Sequence, residues 1–142
     1  MSEQKNKMTV DQLIAAMGAE LGQEPETMKI LAGLDERVVF EHAANKNFAF
    51  SGEHIPAKYK LLMSLAISAA LGVEKCIETY TTVALRKGFS KEEILEAMLV
   101  ARFVKATTVI STTTSSMRMV LEQEQNVPIS EEELNKALSD KN

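Results

Sequence analysis

The sequence predicts an all-α protein, and three observations carry that expectation. Apolar residues recur every three or four positions along most of the chain, beginning with Val10, Leu13, Ile14, Met17 and Leu21. The apolar stock is Leu, Ile, Val, Ala and 8 Met, with no Trp and only 5% aromatics. That mixture suits helices packing on helices better than a sheet rich in β-branched and aromatic side chains. No stretch reads as a convincing strand, and no internal repeat is present.

Residues 1–8 are polar and expected to fray, while 9–142 read as a single helical domain of sufficient length to bury a core. Thr9 and Gln12 match a capping box that starts the first helix, and Gly22 ends it. Pro25 stands where a first helical turn tolerates it, and Met28, Leu31 and Leu34 form a short second helix. Asp35 caps a third that carries Val38, Val39, His42 and Ala43, with His42 read as a partly buried packing residue. Asn45–Pro56 is the best loop in the chain, with Asn, Ser, Gly, a closing Pro and His54.

Pro56 opens a strongly apolar helix. Leu61, Leu62, Leu65, Ala66, Ala69 and Ala70 give it a wide stripe, and Ser64 and Ser68 allow close helix contact. Gly72 separates it from the next helix, "LGVEKCIETYTTVALRKG", which closes on Lys87 and Gly88. Ser90–Glu93 is a second capping box, and its helix runs through Ile94, Leu95, Met98, Leu99, Ala101 and Val104 with room to continue to Leu121. Within it, "KATTVISTTTSSMRM" is rich in hydroxyls that can bond back to helix carbonyls. That run reads either as a pocket wall or subunit contact, or as a plain packing strip. Pro128 ends the region, and Ser130–Glu133 caps a terminal helix with Leu134 and Leu138.

The net charge of −4, with no basic stripe, speaks against nucleic acid as a partner. One cysteine cannot form an internal disulfide, and His42, His54 and Cys76 lack the spacing of a zinc site. The first residues lack the apolar core of a signal peptide, and no apolar run approaches the ~20 residues that span a bilayer. The expectation is a cytoplasmic protein with no cofactor, no metal and no membrane partner.

Cys76 shares a helix face with Val73, Ile77, Tyr80 and Ala84, in the first turn or so after Gly72. A helix N-terminus favours a thiolate, and the flanking Glu74 and Glu78 oppose it. Free cysteine is among the most buried residue types, so packing alone accounts for such a position. A reactive role needs partners. Tyr80, one turn on, can donate a hydrogen bond, and His54 can supply a base if its loop folds toward this helix.

The segments "IPAKYKLLMSLAISAALG" and "CIETYTTVALRKGFSKEEILEAMLVA" resemble the carboxymuconolactone decarboxylase family, which includes the alkylhydroperoxidase D proteins. The resemblance covers Ile55 to Val104 and, more loosely, extends to Leu121. It implies an alkylhydroperoxidase D-like helical fold with a helix hairpin core, assembled as a homo-oligomer, a trimer or hexamer. The family's peroxidase branch carries a Glu at the position of Leu61, a Cys pair at Val73 and Cys76, and a His at Tyr80. Only Cys76, the thiol that attacks hydroperoxide in that branch, is retained here. The resemblance thus implies a one-cysteine thiol peroxidase or related redox protein, with Cys76 and Tyr80 at its site and His54 as the candidate base from outside the motif. Its partners are a small-molecule substrate and an external thiol reductant. It leaves open a non-redox metabolite-binding or decarboxylase-type member, with Arg86, Arg102 and Lys105 as candidate cations, and a catalytically inactive oligomeric scaffold.

Overall fold

A computed structural model describes residues 7–125 and 130–139. Among them every regular element is a helix: α1 Val10–Leu21, α2 Glu26–Leu34, α3 Glu36–Phe50, α4 Ala57–Leu71, α5 Glu74–Arg86, α6 Lys91–Thr112, α7 Thr114–Gln125 and α8 Glu131–Ser139. The all-α expectation therefore holds. The fraying expected at residues 1–8 falls mostly outside the described residues, as do the stop at Pro128 and the side chains of Glu133, Leu134 and Leu138. None of the described helices is long and apolar enough to cross a membrane. The chain divides into two compact units, Met1–Val104 and Lys105–Asn142, with α6 running from the first into the second.

Local chemistry sets most helix ends. The Thr9 hydroxyl accepts from the Gln12 amide at 3.3 Å, and the Gln12 side chain accepts from the Thr9 amide at 2.9 Å. Ser90 and Glu93 repeat the arrangement at the start of α6. Asp35 does two jobs: its amide donates to Leu31 at the end of α2, and its carboxylate accepts from the Arg37 amide at the start of α3. The Arg37 side chain grips the same carboxylate and holds it below its ordinary range.

α4 and α5 end alike. Gly72 and Gly88 take left-handed φ of 71° and 79°. After each, the next amide reaches back to a carbonyl in the last turn, Val73 to Ser68 and Phe89 to Ala84, both at 3.1 Å.

In the first unit α4 packs mainly on α5, α2 on α3, and α1 against α2, α3 and α5. The core lies where α4, α5 and the start of α6 meet. Leu61, Leu65, Val83, Ala84 and Ile94 are buried there, and Leu21, Ile77, Tyr80, Phe89 and Met98 close around them. The α4 stripe read from sequence is the stripe that buries. Ser68 is buried within it and spends its hydroxyl on the Ser64 carbonyl at 2.8 Å, so close packing leaves no unpaired polar atom there.

Two sequence expectations are corrected. The loop placed at Asn45–Pro56 is helical as far as Phe50, leaving Ser51–Pro56 as the connection. Lys46 anchors the extension by pairing with Glu20 of α1 at 2.6 Å. Lys60 of α4 donates to the carbonyls of Phe50 and Gly52, satisfying acceptors that α3 leaves open at its end. The helix from Ser90 does not run unbroken to Leu121; it turns at Thr113 and restarts as α7. Thr108, Ser111, Thr112, Thr113 and Thr114 all return hydroxyl bonds to carbonyls three or four residues back, as expected, and such bonding bends helices.

A joint between α1 and α5 gives a stability prediction. Gly22 closes α1 at φ 72°, and a Cβ there would lie 1.8 Å from Nη1 of Arg86. The guanidinium thus sits over the negative end of the α1 dipole. Gly72 has the same handedness and open space around it. Both Gly→Ala changes should cost about 1–2 kcal/mol for the left-handed backbone, and Gly22→Ala should cost more because Arg86 must also move. Thermal melts of the two variants side by side check the ranking.

Candidate active site

α5 carries the candidate thiol, and its placement follows from how the helix begins. Gly72 ends α4, and Val73 caps α5 without a side-chain hydrogen bond. Cys76 is the third residue of α5, so its amide belongs to the set a helix N-terminus leaves without an internal partner. Glu74 lies in the same first turn, and Lys75 stands 3.6 Å from Glu78. The positive helix end thus faces a local balance of two carboxylates and one ammonium.

Cys76 is half-buried on the wall of a cavity of about 850 Å³. Thr79, Tyr80, Val83 and Lys87 continue the same wall at helical spacing. The other helices of the first unit contribute apolar side chains, Met17 and Leu21 from α1, Met28 from α2, Phe50 from α3 and Leu61 from α4, interleaved with polar and charged ones such as Glu20, Glu26, His42, Lys46 and Lys58. The volume lies within the range of small-molecule sites, roughly 300–1,000 Å³. A second hollow of about 790 Å³ lies between α1 and α2 and holds none of the candidate residues.

The structure brings Cys76 and Tyr80 together on this cavity and leaves His54 off it. His54 sits exposed in the connection before Pro56 and is not part of the lining. The cavity's histidine is His42 instead. Read from sequence as a partly buried packing residue, it is exposed on α3 and lines the cavity. Its helix spacing with Lys46 and Phe50, which also line the cavity, is the signal that would have found it. Ending α3 at Asn45 hid that stripe. Among the described residues the Tyr80 hydroxyl and the Cys76 thiol make no hydrogen bond to protein, which leaves both available to a ligand.

The charged lining is largely neutralised in pairs. Lys46 meets Glu20, and Lys58 meets Glu93, with the Lys58 ammonium 5.4 Å from the centre of the Phe89 ring. Glu93 is held below the usual carboxylate range chiefly by Lys58 and then by the Ser90 amide, and Lys58 is raised by the same hydrogen bond. This knot ties the start of α4 to the start of α6 at the cavity. Among the described residues no group of three or more His, Cys, Asp or Glu side chains is placed to hold a metal ion.

What this arrangement can do is hold a molecule much larger than water against a thiol and a phenol. A search of curated proteins finds no match. The carboxymuconolactone decarboxylase family model matches residues 25–114, a span from just before α2 to the start of α7. The match contains every lining residue named above except those of α1. On that match, which covers well over half of the sequence, the chain belongs to the carboxymuconolactone decarboxylase family.

Proposed function

We propose that the protein is a one-cysteine thiol hydroperoxide reductase. The observation that supports it best is the half-buried Cys76 thiol on the wall of a large cavity, with Tyr80 one turn away. In this reading the Cys76 thiolate attacks the terminal peroxide oxygen. The O–O bond breaks, the alcohol leaves with a proton, and Cys76 becomes a sulfenic acid. Two equivalents of an external thiol then restore Cys76, releasing a disulfide and water. Tyr80 orients the peroxide through its hydroxyl, and His42 replaces His54 as the imidazole available to deliver the proton. With Val73 at the position of the family's first, resolving cysteine, the regeneration runs through the external reductant.

Homo-oligomeric assembly is part of the proposal. Tyr59, Met63, Ile67 and Leu71 repeat every fourth residue along α4 and are exposed, as are Leu95, Leu99 and Phe103 along α6. Exposed apolar stripes of this kind mark association surfaces. We also place the protein in the cytoplasm, where reducing thiols are plentiful.

The cavity's size favours one alternative, a non-redox member that binds a small metabolite. Cys76→Ser separates the two. Hydroperoxide consumption with excess dithiol should fall to background in the variant, whereas ligand binding in the cavity should change little. Equal turnover in wild type and variant would remove the peroxidase reading.

A further inference from the structure

The lining of the cavity has a direction. Cys76, Tyr80, Val83 and Lys87 lie along one face of α5 and its cap. With 1.5 Å of rise per residue, the step from Cys76 to Lys87 places their backbones about 16 Å apart. The cavity therefore extends for three turns, with a thiol toward one end and an ammonium toward the other. The walls contributed by α1 and α4 present Met17, Leu21, Ala57 and Leu61 as apolar surface, and their charged members, Glu20 and Lys58, are each held in an ion pair.

The ammonium at Lys87 is also electrostatically distinct. Lys46, Lys58 and Lys75 each have a carboxylate partner, in Glu20, Glu93 and Glu78. Among the described residues Lys87 lines the cavity with no carboxylate or hydrogen-bond partner for its side chain. The lining's unpaired carboxylate, Glu26, stands in the first turn of α2, where the positive helix end already offsets it. One unpaired cation matches one negative charge. A carboxylate supplies that, whereas a dianionic phosphate would call for a second cation.

We infer that this cavity takes an unbranched amphipathic carboxylate, its head on Lys87 and its apolar tail running along α5 to Cys76. The inference rests on the cavity being the functional site but not on the peroxide chemistry, so its test uses an unreactive probe. Dodecanoate would be titrated calorimetrically against the wild-type chain, Lys87→Met and Lys91→Met, with dodecanol as the uncharged control. Cys76 alkylation by iodoacetamide would be timed with and without dodecanoate.

The expected result is one dodecanoate per chain, slower alkylation of Cys76, and binding weakened roughly fivefold in Lys87→Met, the upper range for an exposed ion pair. Dodecanol should bind both forms equally, and Lys91→Met, an exposed lysine outside the lining, should match wild type. Several dodecanoates per chain, unprotected Cys76, or equal weakening by Lys91→Met would overturn the inference. So would no binding at all, or unchanged affinity in Lys87→Met. A chain that binds dodecanoate this way and yet reduces no peroxide would keep the inference and lose the peroxidase reading.

Discussion

Leu65→Ala is expected to lower stability by about 2–5 kcal/mol, the range for truncating a buried leucine without full collapse of the site. Leu65 is 0% exposed, among the largest fully buried side chains of the described residues. It stands at the junction where α4, α5 and the start of α6 meet, between Leu61, Val83, Ala84 and Ile94. Helices that pack through these few side chains have little room to close around a lost isobutyl group. Against a typical total of roughly 5–15 kcal/mol, the loss is a large fraction. Urea unfolding followed by circular dichroism measures it. A shift in midpoint below that of an exposed-site control such as Leu85→Ala would show that the core lies elsewhere.

The second large effect concerns Leu61, the position at which the family's peroxidase branch carries a glutamate. Restoring that residue by Leu61→Glu is expected to damage the protein rather than activate it. Leu61 is 7% exposed and belongs to both the core and the cavity wall. The variant forfeits the leucine's burial and places a carboxyl group in apolar surroundings, a loss of about 3 kcal/mol or more. The pH dependence has a definite sign. Burial raises the folded-state pKa of the new carboxyl above its unfolded value near 4.3. The folded state then binds more protons than the unfolded state, so the penalty grows as pH rises through that window and levels off above the folded pKa. Thermal melts at about pH 4 and pH 8 should therefore show the larger deficit at the higher pH. An equal deficit at both would mean that water reaches position 61.

What the sequence made legible were the features set by neighbours in the chain. The capping boxes at Thr9 and Ser90, the cap at Asp35 and the glycines after α1, α4 and α5 are all short-range hydrogen-bond arrangements, and each is found where the pattern put it. The buried stripe of α4 was equally readable, because an apolar face that wide has to be covered.

The features that were missed depend on partners distant in sequence. Nothing local to Asn45–Phe50 announces a helix; Lys60 and Glu20 hold it, from α4 and α1. Losing those turns also concealed that His42 shares a stripe with Lys46 and Phe50. A loop beginning at Asn45 would leave His54 free to reach the Cys76 helix, but the shorter Ser51–Pro56 connection leaves it away from the cavity. The pairing state of the cavity lysines, and so the separate status of Lys87, was likewise invisible before their carboxylates had positions.

The most direct test of the central claim is the intact mass of the reduced protein after a substoichiometric pulse of an organic hydroperoxide, followed by peptide mapping. The account predicts a gain of one oxygen, confined to Cys76, reversed by added thiol and absent from Cys76→Ser. An unmodified Cys76, or oxygen found instead on the exposed Met63, Met117 and Met119, would contradict it.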